Sequence, residues 1–339
     1  MPDLTLVVIV IIIALIFDFI NGFHDSANSI ATIVATNVLR PRNAVLLAAF
    51  WNLFGAFVFS VAVAATIGKG VINPSIVNVY LILAALLGAI IWNLITWNYG
   101  IPSSSSHALI GGLIGAGLVS SGISSIIFSG LNKILIFIFI APVIGFFGAT
   151  IFSILMMWIL KNRKPSHVDW LFKKLQIASS SLYSLGHGSN DAQKTMGVIA
   201  LLLFSSGLIS TFYVPKWVII ASYTAIALGT FFGGWRIVKT MGLKITKLKP
   251  FHGFSAETSG ALVLLGTAHF GIPVSTTHVI SGSIMGVGAV KRYSGVRWQI
   301  ARRIIVAWLL TIPISAIIAG LTYFAIRLFL ATFSISTLY

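Results

Sequence analysis

The sequence predicts an all-α polytopic membrane protein made of two inverted-topology repeats, with broken helices and two helical hairpins meeting at the midplane. Three observations predict it. Of 339 residues, 58% are hydrophobic and 8% charged, against roughly 25% charged in a soluble domain. Apolar runs at Leu4 to Ile20, Ala44 to Ile67, Ile134 to Leu160 and Ile304 to Phe333 are long enough to cross a hydrocarbon layer about 30 Å thick. Two polar signatures each occur twice: Asn21-Gly22-Phe23-His24-Asp25-Ser26-Ala27-Asn28 is answered by His187-Gly188-Ser189-Asn190-Asp191-Ala192-Gln193-Lys194, and Gly100-Ile101-Pro102-Ser103-Ser104-Ser105-Ser106-His107 by Gly271-Ile272-Pro273-Val274-Ser275-Thr276-Thr277-His278. Polar, helix-breaking stretches inside apolar segments, at matching places in two halves, point to a transporter's binding site.

Read in order, the chain opens without a basic region at Met1 to Thr5, and its first apolar run leads into a polar signature instead of a cleavage site, so no signal peptide is expected. Asp25 and Asp191 lie 166 residues apart, and Pro102 and Pro273 lie 171 apart. A duplication of this length sets residues 1–160 as the first repeat, 161–175 as a basic cytoplasmic linker and 176–339 as the second repeat. Loops then compare in pairs. Arg40-Pro41-Arg42 has two basic residues and its partner, Ser205 to Lys216, one; the Lys69 loop has one and Arg236 to Lys249 five; the loop ending at Lys133 has one and Lys291 to Arg303 five. Because basic loops stay cytoplasmic, the two halves should run in opposite senses.

Each Gly-Ile-Pro stretch is uncharged and flanked by apolar segments. Proline suits a helix's first turn and keeps the preceding residue out of the helix, while Ser and Thr are good caps. Each therefore reads as a hairpin tip that starts a new, Gly-rich helix, Ala108 to Leu118 or Val279 to Val290. Gly111, Gly115, Gly282 and Gly286 would allow close helix approach. Backbone breaks at this depth must line protein or a wet cavity. The net charge of +16 sits mainly in loops, where it orients the chain and meets anionic lipid. It is not the footprint of a nucleic-acid binder. With no cysteine, disulfides are excluded.

Only six residues are acidic. Asp3 is terminal and Asp169 lies in the linker, which leaves Asp18, Asp25, Asp191 and Glu257 at apolar spans. A carboxylate at a helix centre costs about 2.5–3.5 kcal/mol on insertion scales, so such residues are paired or functional. Asp25 and Asp191 occupy equivalent positions in the repeats. With Asn28, Asn190 and Glu257 they form the candidate cation (Na⁺) ligands, since carboxylate, amide and carbonyl oxygens are what Na⁺ sites use in transporters. Asp18 has Ser184 as its counterpart, and its role is open. The imidazoles are too scattered for a transition-metal centre.

The hydroxyl-rich tips suit an anion, because a helix N-terminus offers free N–H groups and the positive end of the dipole. Ser104, Ser105, Ser106, Ser275, Thr276 and Thr277, together with Gln193, are the candidate ligands of a tetrahedral oxyanion; the alternative is that the hydroxyls only cap their helices. Lys194, three residues from Asp191, is expected to pair with it, with direct anion contact as the alternative. His107 and His278 are expected to donate to backbone carbonyls. His24 and His187, near the aspartates, leave a proton-coupled reading open.

Gly22-Phe23-His24-Asp25-Ser26-Ala27-Asn28-Ser29 and Gly188-Ser189-Asn190-Asp191-Ala192-Gln193-Lys194-Thr195, with the two Gly-Ile-Pro tips, resemble the duplicated signature of the inorganic phosphate transporter (PiT) family over essentially the whole chain. The resemblance implies symport of phosphate with a cation through an elevator-like or rocking movement. Asp25 and Asn28 match the family's first motif, and Asn190 and Asp191 its second. Phe23-His24 and Gln193-Lys194 each stand where the family has Ala-Asn, so the two cation sites need not be equivalent and Na⁺ against H⁺ is left open. Moving one charge against the membrane potential costs about 2.3 kcal/mol per 100 mV, so a phosphate dianion needs two cations to enter a negative interior.

The expected function is a secondary active symporter importing inorganic phosphate with Na⁺ by alternating access, multi-pass in the cell (inner) membrane. It is not expected to be an enzyme or to hold a cofactor. Its partners are phosphate, Na⁺ or H⁺, and bilayer lipid, with a homodimer left open. The alternatives are a proton-coupled phosphate or sulfate permease of the same fold, or an anion channel. A hydrolase built on Ser106 and His107 is disfavoured, because neighbours along a helix do not face each other.

Overall fold

Segments this apolar leave their backbone groups no water to bond within a membrane, so they close their hydrogen bonds internally as helices. In a computed structural model, which describes residues 4–58, 60–290 and 292–336, the helices are α1 (Leu4–Ala35), α2 (Pro41–Phe54), α3 (Ala62–Gly70), α4 (Val79–Asn98), α5 (Ser105–Ser121), α6 (Phe128–Ile159), α7 (Pro165–Ser205), α8 (Lys216–Phe232), α9 (Trp235–Lys239), α10 (Pro250–His269), α11 (Thr276–Ala289) and α12 (Trp298–Ser336). The order of the first six is repeated by the last six: a long helix, a bent pair, a hairpin, a long helix.

Helices α1, α4, α6 and α12 are each long and apolar enough to cross a membrane. The run Ala44 to Ile67 is not one straight crossing. It divides into α2 and α3, which bend by 82°, and its counterpart α8 bends by 59° into α9 and the π-helical turn Thr240–Lys244. The expected linker is also mostly helical, since α7 begins at Pro165.

The hairpins form as expected. Helices α4 and α5 turn back at Gly100, and α10 and α11 at Gly271; these glycines have φ of 64° and 63°, a conformation other residues rarely adopt. Ser104 and Ser275 are the N-caps, their Oγ atoms accepting from the backbone N–H of His107 at 3.2 Å and His278 at 3.3 Å. The aspartate signatures, by contrast, do not break their helices. Both lie inside unbroken runs of α1 and α7. Gly22 and Gly188 serve close packing instead: a Cβ at Gly22 would collide with the Ile226 carbonyl of α8, and one at Gly188 with Asn52 of α2.

The two halves of the chain are interlocked. The long helix α12 packs along α5 and α4, and α6 packs along α11 and α10, so each half closes the other's hairpin. The contact is backbone to backbone. A Cβ on Gly111 or Gly115 would run into α12, and one on Gly282 or Gly286 into α6, which is the close approach expected of these four glycines. One core takes the first half of α1, α3, α4, α5, the second half of α7 and part of α8; the other takes the rest of α1, α2, α10, α11 and the start of α12. Helices α1 and α7 pass through both cores and run antiparallel. Thr36 meets Gln176 at 2.9 Å and Ser29 accepts from Ser180 at 3.2 Å, while Asp25, nearer the start of α1, meets His187 and Asp191 further along α7.

Gly115→Val, which drives a side chain into the Ala316 carbonyl, should cost about 1–3 kcal/mol or more, read as a lower Tm in detergent. Gly266→Ala, with nothing within 4 Å of the added carbon, should instead stabilise α10 by about 0.5–1 kcal/mol.

Candidate functional site

Asp18, Asn21, Asp25, Asn28 and Thr32 recur every three or four residues and so share one face of α1. All five are buried. The facing stripe of α7 carries Gln176, Ser180, His187, Asp191 and Lys194, also buried. Buried polar groups must find partners, and here the partners come from the two hairpin tips.

At the centre, Asp191 Oδ1 accepts from Lys194 Nζ at 2.5 Å and its Oδ2 from Thr276 Oγ1 at 3.0 Å. His187 Nε2 lies 3.3 Å from Oδ2. The Lys194 ammonium also donates to Ser106 Oγ at the first tip and to the Val274 carbonyl at the second, the latter at 2.8 Å. Its three protons are thereby all used. Asn28 donates from Nδ2 to Thr276 Oγ1 at 3.1 Å and Thr277 Oγ1 at 2.9 Å, while its Oδ1 has no hydrogen-bond partner among the described residues. Tyr183 steadies the second tip by donating to the Thr276 carbonyl at 2.9 Å.

Asp25 sits opposite Asp191. Its Oδ1 lies 2.6 Å from His24 Nδ1. His24 Nε2 lies 3.1 Å from Thr96 Oγ1, which accepts from Ser103 Oγ at 2.9 Å. This chain ties α1 to the first arm and the tip of the first hairpin. Asp25, His187 and Asp191 present ligand atoms all within 4.8 Å of one another, a cluster that could hold a cation. The first turns of α5 and α11 also converge: the rings of His107 and His278 meet edge to face at 4.7 Å. His278 Nδ1 donates to the Ile138 carbonyl at 3.3 Å, as expected, whereas His107 Nδ1 makes no hydrogen bond to the described residues.

The structure therefore brings together Asp25, Asn28, Asp191, Ser106, Thr276 and Thr277. Ser105, fully buried at the start of α5, has an Oγ without a partner among the described residues, while Ser104 and Ser275 spend their hydroxyls as caps. Three candidates are engaged elsewhere. Gln193 Oε1 accepts from the backbone N–H groups of Val63 and Ala64 at 2.9 and 3.3 Å, and its Nε2 donates to the Ser189 carbonyl at 2.7 Å. It caps the start of α3, where Val63 and Ala64 are buried. Asn190 Nδ2 donates to the Gly186 and Leu264 carbonyls at 3.0 and 2.9 Å and faces α10. Glu257 lies in a separate buried cluster, accepting from Thr32 at 2.5 Å, Gln176 at 3.0 Å and Ser179 at 2.5 Å. Sequence reasoning did not find Thr96, Ser179, Gln176 and Tyr183, which carry no motif. Asp18 is fully buried, and neither carboxylate oxygen makes a hydrogen bond to the described residues.

Two hairpin tips meeting over a buried, carboxylate-bearing helix crossing define a membrane transporter. The chain belongs to the phosphate transporter family, whose model matches residues 21–319. It is 57% identical to a probable low-affinity inorganic phosphate transporter of Rhizobium meliloti (strain 1021), covering 94% of this chain and 96% of that one. It is 46% identical to a protein of the same description from Bacillus subtilis (strain 168), over 96% and 98% of the two chains. Among solved structures it resembles one described as the sodium-dependent phosphate transporter, with a TM-score of 0.86 and 28% identity, covering 96% of this chain and 100% of that one. The chain is thus a multi-pass membrane protein and a transporter, not an enzyme.

Gln193→Ala should cost about 1 kcal/mol through loss of the α3 cap, read as a lower Tm, with the phosphate KM of uptake unchanged. A raised KM with unchanged Tm would return Gln193 to the anion site.

Proposed function

We propose that this chain is a secondary active symporter that imports inorganic phosphate with Na⁺ by alternating access, in the cell (inner) membrane. One observation carries the reading: Asp25, Asn28 and Asp191 lie at the place where the first turns of α5 and α11 converge. The helix N-termini supply N–H groups and positive dipole ends for the anion. Ser105, Ser106, Thr276 and Thr277 supply hydroxyls, and the carboxylates supply hard oxygen for Na⁺. The antiparallel run of α1 and α7 supports inverted repeats, and the basic stretches 236–249 and 297–303 then lie on the cytoplasmic side. Asp25 and Asp191 are 2% and 0% exposed, so neither ion reaches them without a rearrangement; this favours alternating access over a channel. The sodium-dependent title of the structural relative supports Na⁺.

The contact of 2.6 Å between His24 and Asp25 favours a second reading, in which the imidazole passes a proton and H⁺ replaces Na⁺.

Uptake of radiolabelled phosphate into proteoliposomes should follow an imposed Na⁺ gradient and stop when choline replaces Na⁺. Asp25→Asn should lower uptake about tenfold or more, the equivalent of 1.4 kcal/mol. Uptake that ignores Na⁺ and follows an imposed pH gradient would establish the proton version, and normal uptake by Asp25→Asn would remove the cation assignment.

A further inference from the structure

The two halves of the site are built on one plan and filled differently. At the offset of the aspartates, Asn28 corresponds to Lys194; at the offset of the hairpins, Thr277 corresponds to Ser106 and Ser103 to Val274. The contacts correspond as well. Asn28 Nδ2 donates to Thr277 Oγ1 in one half, and Lys194 Nζ donates to Ser106 Oγ in the other. Around Nζ stand the Asp191 carboxylate at 2.5 Å, the Ser106 hydroxyl and the Val274 carbonyl at 2.8 Å. Carboxylate and carbonyl oxygens around one positive charge are the donors that hold Na⁺ in transporters, and an ammonium is likewise a compact point charge. Lys194 is 1% exposed, so its charge is fixed inside this cage. In the first half the same place carries a neutral amide, whose oxygen has no hydrogen-bond partner among the described residues.

We propose that the Lys194 ammonium is a tethered cation that permanently fills the second of two symmetry-related cation cages, leaving one Na⁺, at Asp25 and Asn28, to travel with each phosphate. The occupant of the first cage rests on the Na⁺ reading above; the statement about the second cage does not. Phosphate still meets two positive charges in the site, but only one of them comes from the external solution. A phosphate monoanion with one Na⁺ crosses without net charge, so the membrane potential does no work on it. Each phosphate then draws on the sodium gradient once instead of twice.

The test is the count of radiolabelled Na⁺ bound per purified chain, paired with uptake in proteoliposomes whose potential is set by K⁺ and valinomycin. Lys194→Asn should bind one Na⁺ more than the unaltered chain, and its uptake should speed up with an inside-negative potential to which the unaltered chain is indifferent. Asn28→Lys should bind one Na⁺ fewer, and the swap of both residues should restore the original count. A monodisperse Lys194→Asn protein with an unchanged count overturns the proposal. Should that variant not yield folded protein, an Asn28→Lys protein that keeps the original count overturns it equally. If the unaltered chain binds no Na⁺, sodium coupling falls, while the gain or its absence in Lys194→Asn still decides the second cage.

Discussion

One ammonium is bonded to a carboxylate on its own helix, a hydroxyl at one hairpin tip and a carbonyl at the other. Lys194 is the point where α7 and both hairpins are joined. A charge buried this deeply is tolerated only when paired and fully hydrogen-bonded, and removing one partner of such a pair costs about 3–5 kcal/mol. The two hairpin tips therefore cannot separate without breaking one of the ammonium's bonds; otherwise they move together with α7. Thr276, Thr277 and Asn28 form the complementary link from the second tip to α1. Together they make the residues of the candidate site one mechanical unit, even though they come from four helices.

Glycine makes that unit tight. Each hairpin's second arm meets the last helix of the other repeat backbone to backbone, and each aspartate signature has its glycine where the second helix of the other repeat crosses. The short helices repeat the exchange. Gln193 of α7 caps α3, and Ser26 of α1 accepts from Gly234 N at 2.5 Å, at the start of α9. Thr66 of α3 donates to the Gly271 carbonyl, and Thr240 after α9 donates to the Gly100 carbonyl, both at 2.8 Å. Each long motif helix thus places the short helix that steadies the opposite tip.

The hairpin tips were legible because proline and serine act locally: Pro102 and Pro273 keep the tips out of a helix, and Ser104 and Ser275 cap the next helix within three residues. The pairing of Asp191 with Lys194 was legible for the same reason, since helix spacing sets it. The unbroken course of α1 and α7 was not. A polar, glycine-bearing stretch reads as a break unless the helix that crosses at the glycine is known, and that helix lies in the other repeat. The second partner of Gln193 was not legible on similar grounds: an amide beside an aspartate signature suggests a ligand, and only the fold brings the start of α3, 129 residues away from it at Ala64, against its oxygen. The cluster around Glu257 draws on α1, α7 and α10 at no shared spacing, so no pattern announces it.

The exchange of last helices has a consequence for biosynthesis. When the ribosome has made α6, the glycine-lined face it must cover, on α11, does not yet exist, and α5 waits for α12 at the far end of the chain. The first half-molecule thus has its polar tip and small-residue groove uncovered until α12 has been made. The half-site stays open until α12 has inserted, and α12 is the helix that shuts it.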